Sequence, residues 1–263
     1  MNKISLKTKE EIAIMAEGGE ALSEILWEAL RIIKAGISTL EIDSFIDKKI
    51  VSFGGIPAFK KVPGYFWASC IGVNNEVVHS IPKKEKILKE GDLLKIDLGM
   101  NWRGFNTDLS WTTCVDGKGK KCDAKKNFLQ AGKRALDEAI GVARAGNRVG
   151  HISQTIEKKI TEAGYNPVKV LTGHGIGRKL HEEPMIPGIL KGRIEDSPKL
   201  IPGMTLAIEV IYNEGESEVV LGDDNWTILT KDGKISGLFE KTIAIAENKP
   251  LILTPFNETK ERD

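Results

Sequence analysis

The stretch "AGISTLEIDSFIDKKIVSFGGIP" at 35–57 recurs without a gap as "AGNRVGHISQTIEKKITEAGYNP" at 145–167. The identical pairs are Ala35/Ala145, Gly36/Gly146, Ile42/Ile152, Ile46/Ile156, Lys48/Lys158, Lys49/Lys159, Ile50/Ile160, Gly54/Gly164 and Pro57/Pro167. Ile42, Ile46 and Ile50 step by four, the spacing of one apolar helix face. Gly54 and Pro57 follow where a helix should stop. A second echo sets "GDLLKID" (91–97) against "GMTLAIE" (203–209). Both read as strands by alternation: Leu94, Ile96 and Leu98 share one face, as do Leu206, Ile208 and Val210, and the carboxylate points to the other face. The bland alternative is a chance likeness of amphipathic elements. The better reading is two related halves, roughly 5–115 and 123–250, each running helix, helix, strands. Packed together they form one α+β domain over 1–263 with a site between the halves.

Composition narrows the classes. The chain has 263 residues, 41% of them hydrophobic and 29% charged, with net charge +1. That length buries a sizeable core, and that charge calls for no nucleic acid or acidic surface. Cys70, Cys114 and Cys122 form no CxxC pair, and an odd, sparse set reads as reduced thiols. The start "MNKISLKTKEEI" is charged and lacks the apolar core of a signal peptide. No apolar run approaches the roughly 18 residues of a membrane span. The expected location is the cytoplasm.

The acids carry the chemistry. Asp97 ends one predicted strand and Asp108 begins the next. A hairpin centred on Trp102–Arg103 sets Asp97 directly opposite Asp108. Like charges so opposed destabilise a sheet, and buried they cost far more unless something positive sits between them. A different register, or an aspartate capping a turn, is the plain alternative. The second half adds Glu209 at the place Asp97 holds in the repeat, and Glu240 at the start of another alternating strand. His174 joins them from "LTGHGIGRKLHEEP" (171–184), crowded by Gly173, Gly175 and Gly177. Four carboxylates and one imidazole suit Mn, Fe(II) or Co better than a structural zinc site. Such a set can hold two metals roughly 3.5–4 Å apart.

The ordered set Asp97, Asp108, His174, Glu209 and Glu240, with His79 upstream in "NEVVHSIP" and His181 in "GHGIGRKLHEEP", resembles the methionine aminopeptidases in their short bacterial, type I form. The likeness covers nearly the whole chain, and the run "IDLG…NTDLS…GHGIG…AIEV…FEKT" is specific where each fragment alone is weak. It implies the pita-bread fold, an α+β domain of two pseudo-symmetric halves around a central curved antiparallel sheet with helices outside. The type II helical insertion has no room between His181 and Glu209, and no N-terminal extension is expected.

The resemblance further implies removal of the N-terminal methionine from peptides and nascent proteins, with a small second residue favoured. Asp97, Asp108, His174, Glu209 and Glu240 become ligands of two divalent ions per chain: Co, Mn or Fe(II), with Zn and Ni as further candidates. Glu209 is also the proton shuttle. His181 stabilises the developing oxyanion, and His79 hydrogen-bonds the peptide nitrogen beyond the scissile bond. The glycines around His174 let the backbone turn tightly. His151, inside the repeated helix, is structural. Tyr65, Cys70, Trp226, Phe59 and Leu180 form the methionine pocket. Here the chain departs from the usual bacterial pattern: Phe59 stands where cysteine is common, Val62 where tyrosine is, and Leu180 where phenylalanine is. Lys118, Lys120, Lys121, Lys125 and Lys126 form a basic linker, on its own a solvated loop, and through the resemblance a candidate for transient ribosome contact. The protein is expected to be a monomer, with no membrane and no sequence-specific nucleic acid among its partners. The rivals are an Xaa-Pro aminopeptidase or dipeptidase of the same fold and a metal-free binding module.

Overall fold

The computed structural model describes residues 4–117 and 120–258, so Lys118 of the basic linker lies outside the described residues. Helices Lys9–Ile32 and Thr39–Phe53 lead the first half, and Lys126–Val142 and Val149–Glu162 lead the second. The first two begin at capping boxes, Thr8 with Glu11 and Ser38 with Glu41, in which each cap side chain takes a free backbone N–H and the glutamate answers it. Gly54, at φ 90°, closes the second helix in the left-handed region that a side chain disfavours. The repeated isoleucines do what their spacing implies. Ile42, Ile46, Ile50, Ile152, Ile156 and Ile160 are all fully buried, each contributing on the order of 2 kcal/mol by leaving water.

The helices cover a ten-stranded antiparallel sheet. Its middle runs Leu93–Trp102, Phe105–Cys114, Ser236–Ala244, Thr205–Asn213, Thr172–Gly175, Glu182–Pro187. The two halves therefore meet where Phe105–Cys114 pairs with Ser236–Ala244. Leu94, Ile96, Leu98, Leu206, Ile208 and Val210 pack into one large hydrophobic core. By alternation, Asp97 and Glu209 take the opposite face.

The hairpin register differs from the one expected. Asp97 pairs with Ser110, and Asp108 with Gly99. The turn is Arg103–Gly104 rather than Trp102–Arg103, because both residues have positive φ, 47° and 89°, as a tight two-residue hairpin turn requires. The slip is two residues along the ladder, so parity is kept and both aspartates stay on one face. Nor do the acids sit at strand ends: Asp97, Asp108 and Glu240 lie well inside their strands.

The expectation of three reduced thiols is also corrected. Cys114 and Cys122 form a disulfide with their Cα atoms 5.8 Å apart, and Cys70 is free and buried. Cys114 ends its strand, and the short helix Lys120–Asp123 brings Cys122 back against it. Spacing alone carries no cue to that fold-back. In the same segment Lys125 donates to the Gly91 carbonyl, and Lys126 pairs with Asp123 at 2.7 Å.

Candidate metal and peptide site

On the polar face of the central strands the four acids converge. Glu240 faces Glu209 directly across one ladder and Ser110 across the other. The Ser110 hydroxyl donates to Glu240 Oε2 at 2.8 Å. Asp108 is held by backbone: its N–H donates to Thr242 Oγ1 at 2.9 Å, and the Thr242 hydroxyl returns a bond to its carbonyl at 2.8 Å. His174 arrives on Thr172–Gly175, paired with Ala207 two residues from Glu209. Its Nδ1–H donates to the Gly175 carbonyl at 2.8 Å, which leaves the Nε2 lone pair facing the acids. Nε2 lies 3.6 Å from Glu209 Oε1.

The electrostatics of this set are unbalanced. Burial pushes the carboxyls of Asp97, Asp108, Glu209 and Glu240 upward, and mutual repulsion adds to this for Asp108, Glu209 and Glu240. Burial, and then His181 nearby, bring His174 down to about 4. Lys95, on the same face two residues from Asp97, does not relieve them. Its ammonium donates to the carbonyls of Asn74 (2.8 Å) and Ser236 (3.1 Å), and burial lowers its pKa to about 7. Asp97 Oδ1 and Glu240 Oε1 are buried without a hydrogen-bond partner, and ligand atoms of Asp108, His174 and Glu240 lie within 4.8 Å of one another. Orphaned buried oxygens, a neutral imidazole lone pair and hard oxygen donors are what a divalent cation needs. The donor set fits.

The acids line a cavity of about 130 Å³. His79 and His181 flank it. Both imidazoles are held neutral by burial, with His181 adding to the effect at His79, and the His181 ring lies 4.5 Å from that of His174. His79 sits just past the strand Glu76–Val78 with φ 54°, a left-handed conformation uncommon for a side-chain-bearing residue and often stored at functional sites. The apolar wall is Phe59, Val62, Tyr65, Cys70, Leu180 and Trp226. Tyr65 anchors it, its hydroxyl donating to the Ser69 carbonyl at 2.9 Å and its ring 5.1 Å from Trp226. Phe59 lies over Gly99, where an added Cβ would come within 2.8 Å of Cε1. Every residue singled out from sequence for the site thus lines this one cavity. His151 does not; its Nδ1 accepts from the Arg148 N–H and caps a helix.

Two contributors were missed. Val78 lines the cavity, and Ser110 supports Glu240. Ser110 could have been found, since it stands two residues from Asp108 on the same strand face. The glycine-rich turn also works differently from expectation. Gly173 and Gly175 serve close approach: a Cβ on either would fall within 2.5 Å of a neighbouring carbonyl oxygen, of Ala207 or of Glu183.

Residues 13–245 match metallopeptidase family M24. The chain belongs to that family. Within M24 the likeness runs to methionine aminopeptidases. Methionine aminopeptidase 1 of Bacillus subtilis is 39% identical over 251 residues, 95% of this chain and 99% of the relative. The solved methionine aminopeptidase of Thermotoga maritima is 36% identical, with a TM-score of 0.91 over 96% of this chain and 99% of that one. The M24 fold reaches further: a prolidase from Pyrococcus furiosus, 24% identical, superposes with a TM-score of 0.76 over 98% of this chain but 66% of its own. The pita-bread architecture expected from the sequence is thereby shown. Among the described residues no helix is long and apolar enough to cross a membrane.

Proposed function

We propose that this M24 metallopeptidase removes the N-terminal methionine from peptides and nascent proteins by hydrolysing the first peptide bond, with a small second residue favoured. The observation that carries the reading is a single cavity lined together by four carboxylates, a neutral imidazole, an apolar aromatic wall and two further neutral histidines.

Asp97, Asp108, His174, Glu209 and Glu240 would hold two divalent ions. Mn, Fe(II) and Co suit the oxygen-rich donors, with Zn and Ni as further candidates. Bound there, the ions supply Lewis-acid polarisation and bring the attacking water's pKa near 7. The chain's own groups do the rest. Phe59, Tyr65, Cys70, Leu180 and Trp226 take the flexible thioether side chain. The substrate's α-amino group belongs at the carboxylate end, which restricts cleavage to a chain terminus. His181, neutral, donates its N–H to the oxygen of the scissile carbonyl as charge develops. His79 hydrogen-bonds the nitrogen beyond it, and Glu209 carries the proton towards the leaving amine. The 263 residues act as one catalytic domain, a monomer in the cytoplasm that meets nascent chains at the ribosome, with Lys120, Lys121, Lys125 and Lys126 on the side of contact.

Release of free methionine from Met-Ala-Ser by chelator-stripped protein, with and without added Co, Mn or Fe(II), tests this. Metal-restored release is expected. Cleavage of Xaa-Pro peptides in its place would move the substrate class, and no release with any metal would leave a binding module.

A further inference from the structure

A buried ion pair beside His181 has no part in the chemistry above. Lys7 is 5% exposed, and its ammonium meets Glu182, whose side chain is 8% exposed, the residue next to His181. Burying two charges is costly before their attraction is counted, so the pair calls for a reason. Its neighbours supply one. Lys7 passes beneath Gly177 so closely that a Cβ there would lie 2.2 Å from Lys7 Cε. The other oxygen of Glu182 accepts the Lys179 N–H at 2.9 Å, closing residues 179–182 into a tight loop. The Gly177 carbonyl takes both the backbone N–H (2.7 Å) and the side-chain amide (2.8 Å) of Asn106, two residues from Asp108. On the far side the Lys7 N–H donates to the Gly203 carbonyl at 2.8 Å, just before the strand that carries Glu209. Arg178 adds bonds to Ser5 and Glu11. The segment 5–11 is thus strapped across the loop that presents His181.

We infer that Lys7 is a positioning residue for His181: through Glu182 and Gly177 it holds the 176–182 loop so that the imidazole faces the scissile bond. The inference rests on the proposed role of His181. The Lys7 side chain touches neither substrate nor metal ligands; it sets where a hydrogen-bond donor stands, and an ångström of misplacement is enough to lose rate.

The test is steady-state kinetics of the metal-loaded enzyme on Met-Ala-Ser for Lys7→Met, His181→Ala and the double variant, with histidine-selective NMR. Lys7→Met is expected to lower kcat by about tenfold or more, with KM and bound metal little changed. It should shift the His181 resonance and leave His151 in place. In the His181→Ala background Lys7→Met should cost nothing further. Wild-type kcat in Lys7→Met, or an equal loss in both backgrounds, overturns the inference. Wild-type kcat in His181→Ala overturns instead the role of His181 on which it rests. If Lys7→Met does not fold, Glu182→Gln, which keeps the shape and removes the charge, carries the same test.

Discussion

Glu209 and Glu240 stand directly opposite each other on adjacent strands and on the same face of the sheet, Glu240 buried and the Glu209 side chain 13% exposed. Two like charges so paired oppose folding, and with their carboxyls pushed upward by burial they stay protonated in the metal-free protein well above the usual carboxylate range. A group whose folded pKa is raised lends stability below its unfolded pKa and loses it as pH rises through the folded value. Below about 6.5 the three histidines of the cavity, with pKa values lowered, act in the opposite sense, so the stripped protein should lose Tm by way of all four acids as pH climbs from about 6.5 through neutrality and above. Metal should restore it, and the gap between loaded and stripped protein should widen with pH because binding releases protons. Melting curves across that range, with and without Mn, check this; a pH-independent gap would sink it.

Removing one proposed ligand should separate fold from function. Glu240→Ala or Asp97→Ala should abolish turnover and metal uptake while leaving a folded protein, because the isoleucine core lies on the opposite side of the sheet. Metal analysis beside circular dichroism reads both.

Ser110→Ala tests a subtler contact. The hydroxyl orients Glu240 at 2.8 Å. Its loss should weaken metal binding by roughly 10- to 100-fold, the usual effect of a ligand's supporting partner, without loss of Tm in the stripped protein. Unchanged affinity by titration calorimetry would remove Ser110 from the site.

His79→Ala should keep both the fold and the metal and lower kcat by roughly 100-fold, as loss of one preorganised donor does. Full activity would show that its strained backbone serves something else.

The pocket is expected to respond as a coupled pair. Gly99→Ala places a methyl 2.8 Å from Phe59 Cε1, so the ring must move and KM for methionyl peptides should rise. Phe59→Leu on top of Gly99→Ala should recover part of that loss. Additive effects in the double variant would mean that the two residues are not in contact in solution.

Much of this was legible in the chain. The repeat at 35–57 and 145–167 located the helices, since 3.6-residue periodicity is a local property that burial of Ile42, Ile46 and Ile50 merely completes. The five candidate ligands and the two histidines that line the same cavity could be named because residue type and order survive in one dimension. Other features depend on which strands become neighbours. Asp97 opposite Ser110 follows from the positive φ of Arg103 and Gly104; Glu209 opposite Glu240 follows from strands separated by a long excursion; the Cys114–Cys122 pair and Lys7 beneath Gly177 follow from segments folding back. Ladder register, close backbone approach and ion pairing between distant residues are set by long-range packing, and no local pattern encodes them. The residue types that line the cavity were therefore readable from the chain, whereas the shifts in their pKa values, the support of Glu240 and the strap over His181 came into being with the packed sheet that excludes water from them.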